Sequence, residues 1–269
     1  MTCIRFRNVV VFRSGRAILN VPDLSVEEGQ FLGVVGPNGA GKSTFLDLCA
    51  GMTLPQQGEV EIFGRKISFA TAWERSQLRC RIGYLPQMPP FNPDLPFTVK
   101  EVLEGGRAGR RGLLRRLSAQ DRLAVREWME RLNLMPLADR TFRTLSGGEQ
   151  RKALIARAMV QEPDLLLLDE PTANLDMDWR ERVVAFIDDI YRSARMSVVM
   201  VCHETGLLPA GCGTVALIAG GSFMKIGPPE VVFTSENLSR LFGCPVEVVR
   251  LGSRYHAASL GFPAAGGEG

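Results

Sequence analysis

The sequence predicts an α/β fold with a mainly parallel sheet, an antiparallel β subdomain at the N-terminus and an inserted α-helical subdomain. Three observations point there. Short apolar runs of strand length recur at 30–35, 164–169 and 197–202, separated by stretches with apolar residues at helical spacing. Alternation of that kind implies parallel strands joined by crossover helices. Residues 3–12 alternate instead, with Ile4, Phe6, Val10 and Phe12 on one side and Arg5 and Arg7 on the other, the pattern of a half-exposed strand. Between about 86 and 145 the strand pattern stops altogether.

Taken in order, a second strand is expected over 18–26 and a buried one over 30–35, ending at Gly36. A helix from Gly41 to Gly51 places Phe45, Leu48 and Cys49 on one face. Further strands are expected at 59–63 and 81–85. The five prolines between Pro86 and Pro96 make a rigid loop. Residues 98–135 are expected to be helical, with a break over the Gly/Arg stretch 105–112, after which Ser118 caps a helix carrying Val125, Trp128, Met129 and Leu132. A helix over 146–161, a buried strand over 164–169, a helix over 177–192 and strands at 197–202, 214–218 and 222–226 follow. The expected organisation is one unit over 1–230, with the helical subdomain inserted at about 86–145. A short appendage over 231–263 and a disordered tail over 264–269 complete it.

Composition narrows the function classes. The chain has 269 residues, 45% of them hydrophobic, which suffices for a sizeable core. Its 32 basic and 29 acidic residues nearly balance, which argues against a nucleic-acid partner. No apolar run reaches the roughly 18 residues of a membrane span, and the N-terminus lacks a signal-peptide pattern. Six scattered cysteines without a C-x-x-C pair, and only two histidines, argue against a zinc site. They fit buried free thiols in a reducing cytosol.

Three motifs carry chemistry. Gly36-Pro37-Asn38-Gly39-Ala40-Gly41-Lys42-Ser43-Thr44 fits G-x-x-x-x-G-K-[ST] between an expected strand and an expected helix. Its glycines let backbone N–H groups curl around phosphate oxygens, and the helix start favours anionic charge. Lys42 would reach the β- and γ-phosphates and Ser43 would ligate Mg2+. This motif assigns the sheet to a P-loop NTPase core. The strand 165–169 then delivers Asp169 and Glu170 at its C-terminal end, where ligand chemistry sits in open parallel sheets. There Asp169 would hold Mg2+ and Glu170 would act as general base on a water, unless the pair is merely an acidic helix cap. Between the two lies Leu145-Ser146-Gly147-Gly148-Glu149-Gln150. Ser146 and Glu149 have capping-box spacing. Two glycines inside a helix start cost about 1 kcal/mol each against alanine, so something must approach the backbone closely; a docked phosphate would explain them.

A phosphate loop, Gln87 before a proline-rich loop, LSGGEQ, LLLLDE and His203 after the next strand occur here in that order. Over residues 3–230 this resembles the nucleotide-binding subunit of ABC transporters. The resemblance implies a head-to-tail dimer of two copies. Each ATP would lie between one copy's phosphate loop and the Ser146, Gly147 and Gly148 of the other. It also implies that Gln87 touches Mg2+ or the attacking water, that His203 contacts the γ-phosphate, and that Asp176 lies on the loop crossing to the second copy. Phe12 is the candidate for stacking on adenine, and equally fits a core residue of its strand. Gln150-Arg151-Lys152 departs from the family's common pattern, and a change of surface chemistry alone is expected from it. The stretch Arg107, Arg110, Arg111, Arg115 and Arg116 is either a solvated face or a contact for a membrane-side partner.

The segments 95–102 and 230–243 resemble importer ATPases for metals and iron chelates. That implies an integral membrane permease subunit, a substrate-capture protein acting with it, and a position on the cytoplasmic face of the membrane. Rival readings are an exporter ATPase for lipid or haem, a soluble ABC ATPase in cofactor assembly or nucleic-acid maintenance, and a phosphate-loop kinase. LSGGEQ and the lack of an acceptor site argue against the last.

Overall fold

The structure is a computed structural model and describes residues 1–89, 91–92, 94–111, 116–194 and 196–260. The chain enters as β1 (Thr2–Arg13), which pairs antiparallel with both β2 (Arg16–Val21) and β3 (Leu24–Glu27). One strand was expected over 18–26. Pro22 ends it because proline offers no N–H to a ladder, and Asp23 turns back to accept from the Asn8 N–H at 3.2 Å. Asn8 itself adopts a positive φ of 46°, and the pairing of β1 slips between Arg7 and Val10. This bulge inverts the alternation beyond it: Val9 and Val11 are buried, whereas Val10 is half-buried and Phe12 is 37% exposed.

β4 (Phe31–Val35), wholly buried, leads through the 36–41 loop into α1 (Lys42–Cys49). β5 (Gln57–Ile62) returns beside β1 and pairs with β6 (Arg65–Lys66). Next comes α2 (Ala72–Arg79), a helix the hydrophobic pattern did not predict. Leu78 is its one buried residue, so it carries no apolar stripe; the available signal was the capping box of Thr71 and Glu74.

β7 (Ile82–Leu85) precedes the helical segment. There α3 (Val99–Arg111) runs through the expected break, α4 (Ala119–Arg131) is capped by Ser118 with Asp121, and α5 (Gly147–Met159) packs against α3. α3 tolerates its glycines for a packing reason. A Cβ on Gly106 would lie 2.2 Å from the carbonyl oxygen of Arg157, so only glycine permits this approach. One position on, Arg107 is buried and donates to Asp121 at 2.7 Å and to the Val160 carbonyl at 2.7 Å, tying the three helices together. Arg107 is therefore a structural residue, neither a solvated face nor a membrane contact. Arg110 pairs with Glu162 and Arg116 is exposed. The Arg111 side chain and Arg115 lie outside the described residues.

β8 (Leu165–Asp169), α6 (Met177–Ser193), β9 (Ser197–Cys202), β10 (Thr214–Ala219) and β11 (Ser222–Gly227) complete the sheet. Its order is β6-β5-β1-β2-β11-β10-β4-β9-β8-β7, with β3 paired to β1. From β10 to β7 all neighbours are parallel, and the strands are buried because apolar clusters cover both faces. The C-terminal segment forms α7 (Pro229–Val232), α8 (Ser235–Phe242) and a hairpin of β12 (Val246–Leu251) with β13 (Arg254–Ser259). The expected tail at 264–269 lies outside the described residues. Four of the six cysteines are buried as expected, whereas Cys80 and Cys244 are partly exposed.

The α3 glycines make a direct test. No atom lies within 4 Å of a Cβ added to Gly105 or Gly109. Gly105→Ala and Gly109→Ala should each stabilise the fold by about 0.5–1 kcal/mol. Gly106→Ala should instead destabilise it in the same thermal-denaturation series.

Candidate active site

The parallel register builds the site. Val35 of β4 pairs with Cys202 of β9, and Val201 of β9 pairs with Asp169 of β8. β4 and β9 therefore end level, with β8 one residue short of them, and the residues that follow (Gly36, Glu170 and His203) emerge at one edge of the sheet. Gly36 donates to the Cys202 carbonyl at 3.3 Å, and a Cβ there would sit 2.2 Å from the Ile218 carbonyl oxygen. Gly39 and Gly41 hold φ values of 77° and 100°. Gly41 is the N-cap of α1, which has no side-chain cap bond, so its first N–H groups face the loop and suit an anion.

Lys42 is buried inside that loop. Its Nζ donates to the Gly36 carbonyl at 2.9 Å and to the Pro37 carbonyl at 3.0 Å, and lies 3.1 Å from Oε1 of the buried Glu170. The other carboxylate oxygen of Glu170 accepts from Gln87 Nε2 at 3.2 Å. His203 Nδ1 stands 3.6 Å from that same oxygen and is a buried polar atom without a hydrogen-bond partner. Its Nε2 lies 3.2 Å from Glu204. Asp169 is buried next to Glu170. Burial pushes its carboxyl above the usual range, reinforced by the Glu170 charge and opposed by Ser43 and Lys42. A cavity of about 630 Å³ opens over Gly39, Lys42, Ser43, Thr44, Gln87, Glu170 and His203.

Other expected residues lie elsewhere. Phe12 does not line the cavity; its neighbour Arg13 does, with Ile18, because the bulge at Asn8 turns Phe12 away. Pro37 and Ala40 shape the loop from within, Ala40 being buried and accepting from the Gly221 N–H at 3.1 Å. Ser146, Gly147, Gly148 and Asp176 do not line this cavity. Ser146 and Glu149 form the expected capping box, and Asp176 caps α6 by accepting from the Trp179 N–H at 2.9 Å. Gly148 has an intramolecular reason to be glycine: a Cβ would lie 2.2 Å from the Trp179 indole. The crowding expected there comes at least in this chain from Trp179.

Arg151 overturns an expectation. It was read as surface chemistry, yet it is 6% exposed beneath the Glu170 turn. Its guanidinium donates to the carbonyls of Pro171 at 2.6 Å, Glu170 at 2.5 Å and Pro86 at 3.3 Å, which joins α5 to both Glu170 and the segment carrying Gln87. Burial pushes it down to about 10, against the pull of Asp169 and Glu170. Arg151 is the site residue that sequence reasoning missed, since a basic residue in an amphipathic helix carries no sign of burial.

The chain is similar to known proteins in sequence and in fold. A family model described as ABC transporter matches residues 19–173. The chain is 39% identical over 238 residues to a hemin import ATP-binding protein of Streptomyces coelicolor, covering 88% of this chain and 82% of the relative. It is 35% identical over 205 residues to the high-affinity zinc uptake system ATP-binding protein of Bacillus subtilis, covering 76% and 85%. Among solved structures it matches a chain of an inward-facing transporter described as metal-chelate type, with a TM-score of 0.82, 28% identity and coverage of 97% and 98%. It also matches the ATP-binding cassette MJ0796, a post-hydrolysis dimer bound to ADP and Pi, with a TM-score of 0.73, 25% identity and coverage of 84% and 98%. The chain belongs to the ABC transporter family and is one of its ATP-binding, ATP-hydrolysing subunits.

Arg151→Lys would leave buried carbonyls without partners. It should lower stability by roughly 2–4 kcal/mol and reduce ATP turnover, measured by denaturant unfolding alongside an ATPase assay.

Proposed function

We propose that this chain drives import of a metal ion or metal chelate through a separate membrane permease, hydrolysing ATP between two head-to-tail copies of itself. The observation that carries the catalytic half is the convergence of Lys42, Gln87 and His203 on the carboxylate of Glu170. The transport half rests on the importers among its relatives. The segment 86–145 would be the inserted subdomain that faces the permease, on the cytoplasmic side, and a substrate-capture protein would serve that permease. Among the described residues no helix is long and apolar enough to cross a membrane, so the path for the substrate would lie in the partner.

The residues fit a magnesium nucleotide. Mg2+ prefers hard oxygen donors in small number beside substrate phosphates, and the Ser43 hydroxyl, the Asp169 carboxylate and the Gln87 amide oxygen are donors of that kind around the cavity that Ser43 and Gln87 line. When bound, Mg2+ would neutralise phosphate charge. The N–H groups of 36–44 would hold the phosphate oxygens, and Lys42 would exchange its loop carbonyls for the β- and γ-phosphates. Glu170 would accept the proton of the attacking water as the terminal P–O bond breaks and ADP leaves. The unpartnered His203 Nδ1 would bond the γ-phosphate or that water. Ser146, Gly147 and Gly148 of one copy, with its Asp176 loop, would close over the nucleotide held by the other. Closure would draw the helical segments together and move the permease.

Glu170→Gln should leave ATP affinity intact and cut turnover by about 10²–10⁴-fold, the usual contribution of a general base. Turnover near the normal rate would remove Glu170 from that role. Lys42→Ala should weaken nucleotide binding, measured by calorimetry, and unchanged affinity would remove the phosphate-loop assignment.

A further inference from the structure

The C-terminal hairpin folds back onto the turn that carries His203. Residues 205–207 form a single 3-10 turn directly after His203 and Glu204. Thr205 is 2% exposed, and its Oγ1 accepts from the Ala257 N–H of β13 at 3.1 Å. The Gly206 carbonyl accepts from Arg254 at 3.1 Å. The Arg254 guanidinium also pairs with both carboxylate oxygens of Glu181 on α6, at 3.3 and 2.5 Å. His256 fills the space over Gly206, where a Cβ would meet its Nδ1 at 2.4 Å. From the other side, Arg180 of α6 holds Glu204 at 3.1 Å and the Leu175 carbonyl at 2.9 Å. A cavity of about 720 Å³ lies between these elements and is lined by both of the chain's histidines.

The turn is buried, and its side-chain and carbonyl bonds to β13 hold it from the solvent side. His203 makes no bond through Nδ1 that would fix its ring on Glu170. Its backbone is set by β9 on one side and by the turn that follows it on the other, and that turn is held by β13. We infer that β13, through Arg254 and the Ala257 N–H, is a strap that positions His203 for hydrolysis. It makes Arg254 a positioning residue far in sequence from every motif of the site, and beyond residues 19–173 matched by the family model. The inference rests on the proposed role of His203.

Its test uses the full chain. Arg250 provides the control, because it bonds Gly252 and stacks on Tyr255 within the hairpin, without reaching the turn. Arg254→Ala should lower kcat by about 3- to 10-fold with the ATP KM within about 2-fold, the pattern of a loss confined to the transition state. The Hε1 resonance of His203, assigned with His203→Gln in a chain of two histidines, should shift. Arg254→Lys should recover part of the rate, and Arg250→Ala should change neither readout. If Arg254→Ala folds poorly, Glu181→Gln loosens the same clamp from an exposed position and should give a smaller change in the same direction. An unmoved His203 resonance, an unchanged kcat in both clamp variants, or an equal loss in Arg250→Ala would overturn the strap. The resonance needs no turnover, so failure of the catalytic role proposed for His203 would be distinguishable from failure of the strap.

Discussion

Lys42 and Glu170 form a buried ion pair at the ends of two parallel strands, and the rest of the site is arranged around it. Burying two charges is costly unless each is fully partnered. The ammonium meets this requirement with two loop carbonyls and the carboxylate, and the carboxylate with Lys42 and Gln87. The ammonium ties down the Gly36 and Pro37 carbonyls of the loop, and the carboxylate fixes where Gln87 must point. The strand register makes the pair possible, since a slip of one residue in the register of β4, β9 or β8 would carry Gly36, Glu170 and His203 apart.

Arg151 supports this pair from below. Its three carbonyl contacts fix the turn at Glu170, a residue with a positive φ of 45° that a non-glycine side chain adopts only when its surroundings enforce it. The helix that begins at Ser146 therefore also locks the carboxylate of its own copy. Any displacement of α5 is felt at Glu170 and at the segment carrying Gln87 through one guanidinium. Trp179 adds a second link, packing against Gly148 at the start of the same helix while Asp176 caps its own. The Ser146 segment, the Asp176 turn and Glu170 thus form one mechanical unit.

Much of this was legible in the sequence, and the misses share a cause. Strands buried on both faces, such as β4, β8 and β9, announce themselves as short apolar runs, and the phosphate loop as a spacing of glycines. Each is a local property. Val10 and Phe12 were set on the face of Ile4 and Phe6 because the bulge at Asn8 inverts an alternation whose residues look regular. The helix α3 was cut short because glycine's local cost is visible in sequence, while the close approach of Arg157 that requires Gly106 is not. Arg151, Arg180 and Arg254 act through carbonyls and carboxylates distant in sequence, and no spacing rule reveals a guanidinium's partners. The same holds for the hairpin on the His203 turn, which looked like an appendage because its contacts lie some fifty residues upstream.

The Ser146 segment does not line the cavity over Lys42, and in the proposed mechanism a nucleotide held there meets the Ser146 segment of a second copy. A structure of the protein closed on ATP tests this most directly. The account predicts the terminal phosphate within hydrogen-bond distance of Lys42 in one copy and of the Ser146 hydroxyl and Gly148 N–H in the other. A nucleotide enclosed by one copy alone, with the Ser146 segment facing solvent, would contradict it.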